Sequence, residues 1–133
     1  MSDEVEERAA AASDLWMVQV VIQPFKLDPV TRGLEAVQGF SGMTVTTVRG
    51  FGQEKLTDRA PAAHAHRPRE VLDDFTDKLR LDIVVAGRRV ADEITAVVAR
   101  AAHTGNRGDG KIFVWPIARV LRLRTMEEGR DAL

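Results

Sequence analysis

The 133-residue chain contains no cysteine and no tyrosine. The first absence excludes a disulfide framework and thiolate chemistry. Excess charge is missing too: 19 lysines and arginines face 20 acidic residues, a formal net charge of -1. No overall field draws such a chain to nucleic acid or an anionic bilayer, although a local basic site stays compatible with it. There is no apolar run long enough to span a membrane. The opening residues, Met1-Ser2-Asp3-Glu4-Val5-Glu6-Glu7, are acidic where a secretory signal would be basic and then apolar. These exclusions predict a soluble cytoplasmic protein. The remainder is an ordinary globular balance, 44% hydrophobic and 29% charged, in a length that suits one domain with one core.

Residues 1–14 are an acidic, alanine-rich extension to which no role attaches. From 15 to 23 the chain is almost continuously apolar and rich in valine, the pattern of a central strand. Asp28-Pro29 then reads as a helix start, with Asp28 capping and Pro29 in the first turn. Val30, Leu34 and Val37 fall on one helical face, and Gln38-Gly39 closes the helix. Residues 43–49 alternate and are β-branched, predicting a second strand. A third strand is predicted over 78–85, with Leu79, Leu81 and Ile83 on one side. A second helix follows Gly87, marked by Val90, Ile94, Val97, Val98 and Ala101. A fourth strand is predicted over 111–118, with 119–125 continuing it, and 126–133 is a polar tail. The order β-α-β-β-α-β predicts an α+β fold of the ferredoxin-like kind, a four-stranded antiparallel sheet with two helices on one face. Residues 53–77 make a connection too long for a compact domain unless it is functional, with a partial helix near 69–75.

The chemistry concentrates in residues 104–111, Thr-Gly-Asn-Arg-Gly-Asp-Gly-Lys. Gly105, Gly108 and Gly110 allow close backbone approach and inward-turned N–H groups, and Lys111 adds a positive charge; a phosphate suits such a turn. The same residues also suit a helix end at Gly105 followed by an ordinary turn. Arg122 and Arg124, two apart on an extended segment, would face the same way and could grip phosphate oxygens, or simply edge a solvated strand. Lys78 is a further candidate cation, or a surface lysine opening a strand. His64 and His66 could share a face of an extended loop and hold a metal, with no third ligand nearby.

Several runs match one family in order. They are Gln23-Pro24-Phe25-Lys26-Leu27-Asp28, Gly42-Met43-Thr44-Val45-Thr46, Gly50-Phe51-Gly52, Thr104 through Val114, and Ala118 through Thr125. From residue 15 to about 125 the chain resembles the PII signal-transduction family, the nitrogen-regulatory trimers. The resemblance implies a homotrimer with ATP or ADP held in three clefts between neighbouring subunits. It makes 53–77 the partner-contacting T-loop and 104–110 the B-loop. By position, Thr44, Gly50, Phe51, Gly52 and Gln53 would line the cleft from the T-loop base. Lys78, Gly108, Asp109, Gly110 and Lys111 would cradle the phosphates, Val84 would offer a backbone contact to adenine, and Arg122 and Arg124 would reach in from the neighbour. The partner implied is a transporter or a metabolic enzyme of nitrogen or carbon supply. Neither nucleic-acid binding nor direct membrane insertion is implied, and the protein would not be an enzyme.

Two departures qualify this. Uridylylated members carry a tyrosine in the T-loop; this chain has none, so that modification is excluded. Glu54 stands where the family usually has glutamine. A carboxylate there is a candidate Mg²⁺ ligand, but it repels a dicarboxylate, which argues against 2-oxoglutarate as a co-effector and leaves bicarbonate or another adenyl nucleotide as alternatives. Two other functions fit the same element order. Arg49-Gly50-Phe51-Gly52 imitates the start of an RNA-recognition signature, though on the second strand and without the apolar residues that should follow. Asn106 and Arg107 could serve an acylphosphatase-like enzyme, yet no activated nucleophile or general base accompanies them.

Overall fold

The computed structural model describes residues 3–4, 14–52 and 74–133. Four strands follow the predicted order: β1 (Leu15–Ile22), β2 (Thr44–Gly50), β3 (Thr76–Ala86) and β4 (Gly110–Ile117). Two helices separate them, α1 (Leu27–Glu35) and α2 (Arg88–Ala102). The sheet order is β2-β3-β1-β4, and every pair is antiparallel.

Alternation decides which side of the sheet is covered. Val18, Val20 and Ile22 of β1 and Leu81, Ile83 and Val85 of β3 are buried together with Val30, Leu34 and Val37 beneath α1. From α2 the buried stripe is Ala91, Ile94, Val98 and Ala102, while Val90, Val97 and Ala101 pack at its margin. The stripe is thus rotated by one residue from the predicted one, because the small Ala91 and Ala102 let the helix lie close to the sheet. Each fully buried Val, Leu or Ile contributes about 1.5–3 kcal/mol, so this single layer dominates stability.

Helix α1 begins one residue before Asp28, after a short 3-10 turn at Pro24–Lys26, and no side chain caps it. Asp28 instead pairs with Arg32 one turn on, at 3.1 Å. The helix closes at Glu35, earlier than predicted, and the chain turns through Gly39.

The predicted continuation of β4 through 119–125 is not present. Leu15 pairs with Ile117, and beyond that pair β1 offers no residue to extend the ladder. The chain folds back instead: Arg122 N–H donates to the Glu127 carbonyl at 2.9 Å, Met126 N–H to the Arg122 carbonyl at 2.8 Å, and Leu121 bridges Glu128. The tail predicted to be merely polar ends in a 3-10 turn, Gly129–Ala132, whose Ala132 is buried. Strand β3 starts at Thr76, so the predicted 53–77 loop is shorter by two residues at that end. His64, His66 and residues 69–73 of the predicted helix at 69–75 lie outside the described residues.

Candidate functional site

All four strands bring one end to the same edge of the sheet. β2 ends there at Gly50, β3 starts there, β1 ends at Ile22, and β4 starts at Gly110. Val21 pairs with Lys111 on one side and with Arg80 on the other. A cleft of about 380 Å³ opens at this edge, lined by Val21, Gly50, Phe51, Gly52, Lys78, Gly108, Gly110, Lys111 and Phe113. Seven of these nine are residues singled out from the sequence. Val21 and Phe113 are not among them; the signal was there in the strand alternation, which puts Val21, Lys111 and Phe113 on the uncovered side.

Lys78 is no ordinary surface lysine. It lies on the side of β3 away from the helices, yet it is only 9% exposed, because the 104–111 turn folds over it. Its ammonium donates to the Gly108 carbonyl at 2.5 Å. The cation is thereby fixed at the floor of the cleft while its remaining N–H donors stay directional.

The turn is organised from within by Asp109. Its carboxylate accepts from Thr104 N–H at 2.7 Å, from the Thr104 hydroxyl at 2.5 Å and from Gly105 N–H at 2.9 Å. The Thr104 hydroxyl in turn accepts from Asn106 N–H at 3.0 Å. The Thr104 hydroxyl, above all, and these backbone donors hold the Asp109 carboxyl down at about 2, from an ordinary 3.8, with a smaller contribution from His103. The N–H groups of 104, 105 and 106 are therefore engaged by the turn itself. Asp109 does not line the cleft, and its role here is to shape the glycine segment that does.

The structure does not gather every expected residue. Thr44 pairs with Asp82 six residues up β2 from Gly50, about 20 Å along the strand. Val84 pairs with Met17, also toward the far end of the sheet. Arg122 and Arg124 do not share an extended face. Arg122 donates from Nε to the Ala132 carbonyl at 3.2 Å and from Nη2 to the Leu133 carbonyl, which ties it to the end of its own chain. Residues 123–125 form the tip of the turn, and Arg124 projects from it exposed. Neither arginine lines the cleft of this single chain. Gln53 and Glu54 lie outside the described residues. A roomier cleft of about 470 Å³ lies between Gly39, Arg89 and Leu133, far from the glycine turn and its lysines. Among the described residues, no group of three or more acidic or histidine side chains is placed to hold a metal, and no helix is long and apolar enough to cross a membrane.

Comparison with known proteins places the fold in a family. The family model for nitrogen regulatory protein P-II matches residues 15–127. The chain belongs to the P-II family. The nitrogen regulatory protein P-II of Pasteurella multocida is 43% identical over 116 residues, 87% of this chain and 97% of the relative. GlnK of Escherichia coli K12 is 41% identical over 117 residues, 88% of this chain and 98% of the relative. Among solved structures, a Bacillus subtilis GlnK–ATP complex superposes with a TM-score of 0.71 at 29% identity, covering 91% of this chain and 97% of that one. Arabidopsis thaliana PII bound to citrate gives 0.70 at 32% identity, covering 90% and 92%. P-II membership makes the protein a regulator of the nitrogen-signalling kind. It also displaces the RNA-recognition reading, since Phe51 follows an edge strand of a P-II sheet.

Proposed function

We propose that this P-II protein binds ATP or ADP in the cleft between Gly50–Gly52 and Gly108–Lys111, and that occupancy governs how its 53–75 segment meets a partner protein. The observation that carries the reading is the cleft itself: a buried lysine, a second lysine and a glycine turn shaped by Asp109, all at one sheet edge. Two cations and closely approachable backbone suit a polyphosphate. The Bacillus subtilis relative, solved as an ATP complex, shares the fold across nearly its whole length.

The single chain gives only part of such a site. Phe113 and Trp115 remain 46% and 40% exposed on the sheet side away from the helices, an apolar face suited to further copies. We take the working unit as a homotrimer in which a neighbour supplies arginines, Arg124 or Arg122, at the open side of the cleft, with Thr44 and Val84 meeting the base end. The reading assigns no chemical turnover: ATP and ADP would differ in the 53–75 conformations they favour, and each can shift that equilibrium only by its differential affinity for the two states. The regulated partner would be a transporter or a metabolic enzyme. Glu54 is the candidate Mg²⁺ ligand, and its negative charge speaks against 2-oxoglutarate; bicarbonate or another adenyl nucleotide is the alternative co-effector.

Calorimetry with ATP, ADP, AMP and cyclic AMP tests this, each with and without Mg²⁺, 2-oxoglutarate and bicarbonate, alongside sedimentation of the same sample. Saturable binding of ATP or ADP to a trimer, weakened by Lys111→Ala, supports it. A strict monomer, or indifference to every nucleotide at millimolar concentration, overturns it.

A further inference from the structure

The segment between β2 and β3 leaves the sheet at Gly50 and returns at Thr76, two residues paired directly across the ladder. One step outside that pair sit Phe51 and Phe75. Their rings lie 5.3 Å apart, tilted by 52°. The Thr76 hydroxyl donates to the Gly50 carbonyl at 3.5 Å, and Arg49 and Asp77 pair at 3.5 Å one step inside. Phe51 lines the cleft and Phe75 does not. Phe51 therefore touches the cleft on one side and the returning strand on the other, and it stays 37% exposed between them. Phe75 thus bears on the Phe51 ring from outside the cleft.

We propose that Phe75 is a positioning residue of the cleft: it sets the Phe51 ring against the ligand and so couples occupancy to the point where the 53–75 segment re-enters the sheet. This rests on the nucleotide reading above. It goes beyond it by assigning a role to a residue outside the cleft. A ligand pressing on Phe51 must move or tighten its contact with Phe75, because tilted aromatic pairs lose their advantage when centroid distance or angle changes. The coupling runs both ways, so a partner that grips the segment near Phe75 would alter ligand affinity by the same factor.

The test is a double-mutant cycle on the full chain, with ATP and ADP affinities read by calorimetry. Phe75→Ala is expected to weaken binding about threefold to tenfold, Phe75→Leu less, and Phe75→Tyr hardly at all. Phe51→Ala should weaken binding at least as much. If Phe75 acts through Phe51, the double variant is no weaker than Phe51→Ala alone. Circular dichroism melts of Phe75→Leu confirm that the sheet is intact. Affinity unchanged in Phe75→Ala, or losses that simply multiply in the double variant, overturns the proposal while the nucleotide reading stands. Wild-type protein that takes up no adenyl nucleotide overturns both.

Discussion

A β-carbon added at Gly110 would lie 1.7 Å from the Val21 carbonyl oxygen, whereas one added at Gly50 would meet only the Lys78 side chain, at 3.6 Å. Gly110 also holds φ at +112°, in the left-handed region. The two glycine-bearing segments that face each other across the cleft thus differ in kind. The 104–111 turn is compelled: its backbone is pressed on β1, and one carboxylate holds two of its N–H groups. The contacts on the Gly50–Gly52 side include the last ladder pair of β2, a ring pair, one long hydroxyl contact and an exposed ion pair. The difference suggests a cleft with one preset wall and one adjustable wall. Preorganisation on one side lowers the cost of receiving a ligand, and the softer side is where its arrival can be transmitted.

Substitutions can break or sharpen this contrast, and the glycines come first. Gly110→Ala should cost about 3 kcal/mol or more, from left-handed strain plus displacement of the β1–β4 ladder, measured by urea unfolding. Gly50→Ala should stay within about 1 kcal/mol; equal costs would abolish the contrast. Next comes Asp109→Asn, which halves the acceptor capacity at the head of the turn. It should weaken ATP binding about tenfold in calorimetry and lower the melting temperature modestly, since the turn loses its charged acceptor.

The pH response is smaller and has a definite sign. Asp109 titrates at about 2 in the fold against 3.8 ordinarily, so its contribution to the turn is complete above pH 3.8 and is lost as pH falls toward about 2. A carbon-detected NMR titration should show that low midpoint in wild type. Thr104→Val, which removes the leading hydrogen bond, should move it back toward 3.8. A midpoint unmoved by that change would refute the internal wiring described above. The smallest effect is reserved for the softer wall. Arg49 and Asp77 are both well exposed, so Arg49→Ala should change stability by less than about 0.5 kcal/mol.

Most of the fold was legible because alternation and helical spacing survive in strands and helices that share one core. Val18, Val20 and Ile22 against Leu81, Ile83 and Val85 need no tertiary knowledge to be placed on one side. The failure at 119–125 is instructive. Arg122 and Arg124 alternate with Leu121 and Leu123, as in a strand, but a strand also needs a partner, and β1 has run out at Leu15. The cleft was legible where glycine and lysine cluster within one segment. Phe113 escaped notice because its role depends on register between strands distant in sequence. The burial of Lys78 escaped for another reason: it depends on a turn thirty residues away folding over it. Asp109 was found as a position, but its bonds to Thr104 and Gly105 were not, since spacing alone does not say which way a carboxylate faces.

The cleft takes residues from an end of each strand, and its two walls, which start from opposite margins of the sheet, are bridged by the Lys78 side chain. The β-layer serves as the caliper of the binding site. Its coil is fixed by the aliphatic packing underneath, so trimming Ile94 or Val98 would reset the gap between jaws that neither residue touches. If the cleft takes the nucleotide proposed above, its preference would be tunable from the far side of the core.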